Sequence, residues 1–97
     1  MSDQTPPDPS YGWVITRDYI DEDQAVGTMG PRGCTFTKED IAINGKKFRM
    51  YDDDNELYYE GYLVGICDGF EPLDDYGTPN AGCTYIQYEE NGEWVTL

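Results

Sequence analysis

The stretch KFRMYDDDNELYYEGYLV, residues 47–64, determines the fold class of this chain. Both of its ends alternate apolar and polar side chains, which is typical of strands with one buried face. The acidic residues between the two ends interrupt this alternation and form a turn. We therefore predict two paired antiparallel strands, Lys47 to Tyr51 and Leu57 to Val64.

The last third of the chain repeats this design. A strand is predicted from Thr84 to Tyr88 and another from Glu93 to Leu97, with a turn at residues 89–92 that ends in glycine. The β-branched and aromatic residues from Trp13 onward predict a further strand that runs to Ile20. The expected fold is α+β, mainly β: a small antiparallel sheet of about four to five strands with one or two short helices.

Two interpretations remain open for residues 37–45. Thr37 as N-cap and Asp40 three residues later predict a short helix that stops at Asn44 and Gly45. The alternation of Ile41 and Ile43 before the same Asn-Gly pair is typical of a hairpin instead. The helix is slightly favoured.

The remaining segments are predicted to be irregular. Residues 1–10 are polar and contain three prolines, so we predict a disordered tail followed by a single globular domain at 11–97. Three glycines and Pro31 predict a turn-rich connection at 27–33. Residues 68–82, with three glycines and two prolines, predict a long surface connection.

Aromatic residues make up 14% of the chain, which indicates a folded domain rather than an acidic disordered one. The predicted core consists of Trp13, Val14, Ile15, Ile20, Phe36, Ile41, Ile43, Phe48, Met50, Leu57, Tyr59, Leu63, Ile66, Phe70, Leu73, Ile86, Tyr88, Trp94 and Val95.

The start of the chain predicts a cytoplasmic location, which is the host bacterial cytoplasm if the chain is phage-encoded. The first residues have no basic or apolar signal region, and no apolar run approaches the ~20 residues that span a bilayer. In a reducing compartment Cys34, Cys67 and Cys83 are expected to be small buried apolar residues. A Cys67–Cys83 bridge or a thiolate metal site is the alternative.

No catalytic, cofactor or metal site is predicted. The chain lacks histidine, and Asp52–Glu56 does not follow calcium-loop spacing, because positions 6 and 12 would be Leu57 and Leu63. A general acid and a general base are two carboxylates held in one cleft with separated pKa values, and the sequence does not identify such a pair. We therefore expect a protein without enzymatic activity.

Charge is the main functional signal. No lysine, arginine or histidine follows Arg49, and the twelve carboxylates of that half contribute -12 of the formal net charge of -14. Surfaces normally mix both signs, so an unbalanced acidic half predicts a basic partner. The predicted partner-binding residues are Asp52, Asp53, Asp54, Glu56, Glu60, Asp74, Asp75, Tyr76, Glu89, Glu90 and Glu93. Asp52–Glu56 and Asp74-Asp75 are expected at the centre of the contact, and the last three glutamates at its edge.

Three stretches carry a resemblance: FRMYDDDNELYYEG at 48–61, FEPLDDYGTPNAGCTYIQY at 70–88 and NGEWVTL at 91–97. They resemble a recurring kind of short acidic bacterial and phage-associated protein, a likeness that implies no activity. In size and charge the chain is also similar to DNA-mimic inhibitors of the antirestriction and anti-CRISPR types. This second resemblance is one of composition and assigns no residue.

Two functions are compatible with these patterns. The first is an inhibitor whose carboxylates imitate nucleic-acid phosphates and bind the basic groove of a CRISPR effector, a restriction enzyme or a regulator. Such a protein needs neither direct nucleic-acid nor membrane binding. The alternative is a small cytosolic protein-binding or accessory module whose acidity only maintains solubility. The oligomeric state is left open by the sequence.

Overall fold

The computed structural model describes residues 11–65 and 69–97. Within them, six strands form one antiparallel sheet in the order β2-β1-β4-β3-β5-β6. The strands are β1 (Tyr11–Asp18), β2 (Met29–Gly30), β3 (Lys46–Tyr51), β4 (Leu57–Gly65), β5 (Tyr85–Glu90) and β6 (Glu93–Thr96). Helix α1 (Lys38–Asn44), a π-helical segment (Leu73–Gly77) and helix α2 (Thr78–Ala81) complete the fold. The predicted α+β, mainly β class is confirmed, with slightly more strands than expected.

Both predicted hairpins are confirmed, as β3–β4 and β5–β6. They lie side by side because β3 pairs with β5, with Phe48 opposite Tyr88 and Tyr51 opposite Tyr85. Since this pairing is antiparallel, the β3–β4 turn and the β5–β6 turn lie at opposite ends of the sheet. Six residues of strand at about 3.3 Å each separate the two turns by roughly 20 Å.

The β5–β6 turn has the geometry that its sequence predicts. Asn91 and Gly92 connect the strands with φ values of 54° and 83°. Two consecutive positive φ angles characterise a type I′ turn, whose twist matches that of the flanking strands. An asparagine followed by a glycine adopts this conformation with little strain.

Residues 37–45 contain a helix, so the hairpin interpretation was wrong. The Thr37 side chain accepts a hydrogen bond from the Asp40 amide at 3.0 Å, and the Asp40 side chain accepts one from the Thr37 amide at 3.5 Å. This capping box satisfies amides that the first turn leaves unpaired. Gly45 has an extended backbone with φ of -85°, whereas an Asn-Gly hairpin turn needs a positive φ at that position.

Replacing Thr37 by alanine is expected to lower the free energy of unfolding by about 1 kcal/mol, because this exposed residue loses its N-cap hydrogen bond. Urea denaturation followed by tryptophan fluorescence measures the change. Thr35→Ala is the matched control, because Thr35 is also exposed and lies outside the helix. Equal losses in the two variants would show that the capping box does not stabilise α1.

Two predicted connections contain regular structure. Strand β2 lies within the glycine-rich stretch at 27–33 and pairs with Trp13 and Val14 of β1. Residues 73–81 are helical rather than a surface loop, and Leu73 is buried in the main core. Pro72 and Pro79 were read as loop residues, but proline is well tolerated in the first turn of a helix. The π-helical segment is therefore packed against the sheet through Leu73.

The two sheet faces are covered by different elements. On one face, Leu73 and Cys83 pack with Trp13 and Met50 in the main core. Side chains of successive strand residues point to opposite faces, so Gly12 belongs to the other face, where Ile41 of α1 packs beside it. Helix α1 therefore covers one end of that face only.

Most of the predicted core is confirmed, and the misplaced residues share a position at the periphery. The buried set is Trp13, Val14, Ile15, Ile41, Phe48, Met50, Tyr59, Leu63, Leu73, Ile86 and Tyr88. Phe36, Leu57 and Trp94 are half-buried, and Ile66 lies outside the described residues. The exposed residues are Ile20, Ile43, Phe70 and Val95. Ile20 lies in a turn and Ile43 on the outer side of α1, while Phe70 precedes the π-helical segment and Val95 lies on the edge strand β6.

Cys34 is half-buried and Cys83 is buried, and both are free thiols. A Cys67–Cys83 bridge is therefore wrong, while Cys67 itself lies outside the described residues. Burial raises the pKa of the Cys83 thiol to about 12, which keeps it protonated and unreactive at neutral pH. None of the helices in residues 11–65 and 69–97 has the length and apolar character needed to cross a bilayer.

Candidate functional site

The β3–β4 turn is organised around Asp52. Its Oδ1 atom accepts hydrogen bonds from the amides of Asp54 and Glu56 at 2.8 and 2.9 Å. Its Oδ2 atom accepts one from the Tyr58 hydroxyl at 2.8 Å. Asp52 therefore builds the turn, and Asp53, Asp54 and Glu56 are left exposed around it.

These hydrogen bonds predict an unusual titration of Asp52. The Glu56 amide and then the Tyr58 hydroxyl stabilise the carboxylate, and they lower the pKa of Asp52 below its ordinary value of 3.8. Because the folded-state pKa is depressed, this contribution to stability is present above the unfolded-state pKa and is lost as the pH falls through the folded value. Carboxyl-carbon NMR titration should give Asp52 a midpoint below 3.8, and Tyr58→Phe should raise it. An unchanged midpoint in that variant would contradict the role of the hydroxyl.

A second acidic loop joins β1 to β2. Asp18 is buried at its start and accepts hydrogen bonds from the backbone amides of Ile20, Asp21 and Ala25, each at 3.1 Å. These bonds fix the course of the loop. Its acidic residues Asp21, Glu22 and Asp23 are exposed, and within residues 11–65 and 69–97 only Asp23 has an ion-pair partner, Arg17 at 3.3 Å.

The two acidic loops lie at the same end of the sheet. Asp18 is opposite Tyr59 in the β1–β4 pairing, and the Tyr19 amide donates to the Tyr58 carbonyl at 2.9 Å. The end of β1 is therefore next to the start of β4, where the β3–β4 turn arrives. We call the six exposed carboxylates found here the acidic end: Asp21, Glu22, Asp23, Asp53, Asp54 and Glu56.

Half of the acidic end was missed by sequence reasoning. Asp21, Glu22 and Asp23 lie in the half of the chain whose acids and bases nearly balance. The charge balance along the chain therefore did not identify them as candidate binding residues. The balance along the chain does not hold in space, because Lys46 pairs with Glu90 at the other end of the sheet and Arg49 pairs with Glu60. A prediction that β1 pairs antiparallel with β4 would have located these residues beside the β3–β4 turn.

Glu60 occupies a structural position and is not part of the acidic end. It lies within β4, is 6% exposed and forms an ion pair with Arg49 at 2.9 Å. The Arg49 guanidinium also lies 4.0 Å from the centre of the Trp94 ring. Glu60 therefore neutralises the Arg49 side chain and offers little surface to a partner.

The other predicted centre, Asp74-Asp75-Tyr76, is only partly available. Asp75 accepts hydrogen bonds from the Tyr11 hydroxyl at 2.9 Å and from Trp13 Nε1 at 3.1 Å, which tie the π-helical segment to β1. Tyr76 is half-buried, and its ring centre lies 5.5 Å from that of Trp13. Asp74 is exposed beside them.

Glu89, Glu90 and Glu93 lie around the β5–β6 turn, far from the acidic end. All three are exposed, and Glu90 forms a surface ion pair with Lys46 at 3.1 Å. They belong to the opposite end of the sheet because β5 runs antiparallel to β3. The predicted residues are therefore divided between two ends of the molecule.

Comparison of the chain with protein-family models, with curated proteins and with solved structures found no match in any of the three. In the part of the chain that the structure describes, no three carboxylate or thiolate side chains converge as metal ligands do. The candidate site is thus defined by exposed charge and by the loops that hold it. Such a surface attracts a cationic partner over a distance of about one Debye length, ~10 Å.

Proposed function

We propose that this chain is an acidic inhibitor that imitates nucleic-acid phosphates and binds the basic groove of a nucleic-acid-processing protein. A CRISPR effector, a restriction enzyme or a DNA-binding regulator is the expected partner, met in a bacterial cytoplasm. The single observation that carries the proposal is the acidic end. Six exposed carboxylates come together there on two loops. Among the described residues, only Arg17 forms an ion pair with any of these six carboxylates.

The acidic end keeps its charges in place because its loops are held by internal hydrogen bonds. Asp18 fixes one loop with three backbone amides, and Asp52 fixes the other through two amides and one hydroxyl. Closely spaced negative charges in a fixed arrangement are what the phosphates of a DNA backbone present to a basic groove. A partner can therefore bind the acidic end without first ordering it.

A basic groove gains free energy from such a surface in the same way as from DNA. Bringing lysine and arginine side chains against fixed negative charges releases bound counterions from both surfaces, and this release weakens as salt rises. A net charge of -14 also repels nucleic acid itself. The proposed inhibitor therefore competes with nucleic acid for the protein and does not bind the nucleic acid.

Displacement of labelled duplex DNA tests the proposal. Purified CRISPR effectors, restriction endonucleases and DNA-binding regulators are each loaded with a fluorescent duplex, and the chain is titrated in at low salt. Release of the duplex from at least one of them, with formation of a stable protein complex, is expected. An equally basic protein without a nucleic-acid groove is the control. Failure to displace DNA from any member of the panel would reject mimicry.

The alternative, a protein-binding module, is favoured by one different observation. On the sheet face that α1 leaves open, the Tyr51 and Tyr85 rings stack with their centres 4.9 Å apart. Arg49 and Trp94 form their cation–π pair on the same face. Tyrosine, tryptophan and arginine dominate the binding energy of protein interfaces. A partner whose affinity is insensitive to salt and is lost with Trp94→Ala would identify this face as the contact.

A further inference from the structure

A polar cavity of about 400 Å³ lies beside the acidic end, between the β1–β2 loop and α2. Its lining includes two carboxylates, Asp18 and Asp21, and none of its described lining residues is a lysine or an arginine. A cavity of this size is in the range that takes up small molecules or single side chains. Its charge favours a cationic occupant.

In the part of the chain that the structure describes, no cation balances the charge of Asp18. Asp18 is 4% exposed, and its three hydrogen bonds all come from backbone amides, which are neutral. No ion pair among the described residues involves it. A buried carboxylate ordinarily has a charged partner, because removing it from water costs free energy. The cavity beside Asp18 is where an external cation can supply that partner.

Neutral hydrogen-bond acceptors complete the lining. The Asn80 amide nitrogen donates to the Tyr76 carbonyl at 3.1 Å, which leaves the Asn80 carbonyl oxygen as an acceptor. Gln24 contributes a second amide. Tyr59 and Tyr76, whose ring centres are 5.3 Å apart, supply aromatic surface. Burial and the neighbouring Tyr76 raise the pKa of Tyr59, so its hydroxyl stays neutral near pH 7.

We infer that this cavity binds a guanidinium group, supplied by an arginine side chain of the basic partner. This inference rests on the proposed function and specifies the chemistry of the contact. Guanidinium carries five N–H donors in one plane, pairs with carboxylates and packs against aromatic rings. Carboxylates, amide carbonyls and tyrosine rings around one cavity match all three properties. A lysine ammonium has three donors and no planar surface, so it matches the cavity less well.

Binding of N-acetyl-arginine-N′-methylamide tests the site directly. We expect this probe to shift the amide NMR signals of residues 20–25 and the side-chain signal of Asn80 in a saturable way. The citrulline analogue has the same shape without the charge and should bind at least about tenfold more weakly, because it loses the charge-assisted hydrogen bonds. The lysine analogue should bind more weakly than arginine as well. Equal binding of all three would overturn the inference.

A pair of variants with the same charge change separates the cavity from general attraction. Asp21→Asn removes a carboxylate that lines the cavity, and Asp74→Asn removes an exposed one that does not. Asp21→Asn should weaken arginine binding about tenfold, and Asp74→Asn should leave it within a factor of two, because of these two carboxylates only Asp21 lines the cavity. Equal effects would show that the probe responds to net charge only and would overturn the assignment. Asp18 is left intact because it holds the loop.

The two proposals fail in different ways. If the arginine probe does not bind but DNA is still displaced from a basic protein, the cavity assignment is rejected and phosphate mimicry remains. If the probe binds at the cavity and no basic protein of the panel is inhibited, the guanidinium site remains and phosphate mimicry is rejected.

Discussion

Replacing Gly61 by alanine is expected to lower the free energy of unfolding by about 3 kcal/mol. Gly61 lies in β4, paired with Ile15 of β1 on one side and with Phe48 of β3 on the other. A methyl group at this position would come within 2.7 Å of the Phe48 ring and closer still to the Val14 carbonyl oxygen. Since the carbonyl belongs to the backbone, a change of rotamer cannot relieve the clash, and the three central strands must separate.

Urea denaturation measures this loss, and Gly82→Ala is its control. Gly82 follows α2 with a φ of 74°, and no atom lies within 4 Å of the added carbon. Its substitution should therefore cost only the strain of a left-handed backbone, about 1 kcal/mol. A loss at Gly61 no larger than that at Gly82 would contradict the close approach of β1, β3 and β4.

Neutralising the β3–β4 part of the acidic end is expected to weaken binding to the basic partner by about 10- to 100-fold. The variant combines Asp53→Asn, Asp54→Asn and Glu56→Gln, and each lost contact between opposite charges at a solvent-exposed surface costs roughly 0.5–0.9 kcal/mol. Asp52 is retained because its hydrogen bonds hold the turn. The dissociation constant, measured by calorimetry at low salt, reports the effect.

The opposite end of the sheet offers a matched control. Glu89→Gln, Glu90→Gln and Glu93→Gln together remove the same three charges around the β5–β6 turn, roughly 20 Å away. The only described ion pair that this variant breaks is the exposed Lys46–Glu90 pair, which contributes little to stability. We expect its affinity to stay within about threefold of that of the original chain, because charges at that distance are screened. Equal weakening by both variants would show that the acidic end contributes to binding only through the net charge of the chain.

The sequence predicted the parts of this fold that depend on neighbours along the chain. Alternation in residues 47–64 identified the β3–β4 hairpin, and Asn91-Gly92 identified the β5–β6 turn, because a hairpin register is set by its own residues. The Thr37 cap likewise predicted α1. The π-helical segment was missed since Leu73 is buried only by packing against the sheet, and residues 72–79 lack a helical period that would indicate it.

The site was predictable only in part because its assembly depends on strand order. Asp53, Asp54 and Glu56 were found from local charge, whereas Asp21 and Glu22 join them only through the pairing of β1 with β4. Glu60 is buried against Arg49 across the β3–β4 hairpin, and the exposed Asp75 accepts a hydrogen bond from Trp13, which is 62 residues away along the chain. Local charge therefore located acidic residues without distinguishing those that bind within the fold from those available to a partner.

The salt dependence of binding to a protein that the DNA-displacement panel identifies tests the central claim most directly. The association constant is measured from low to high salt with the same two proteins. Contact with the acidic end predicts that the logarithm of this constant falls linearly with the logarithm of salt concentration, with a slope that decreases by about one for each acidic-end carboxylate neutralised. A constant that is unchanged between low and high salt would contradict phosphate mimicry by this chain.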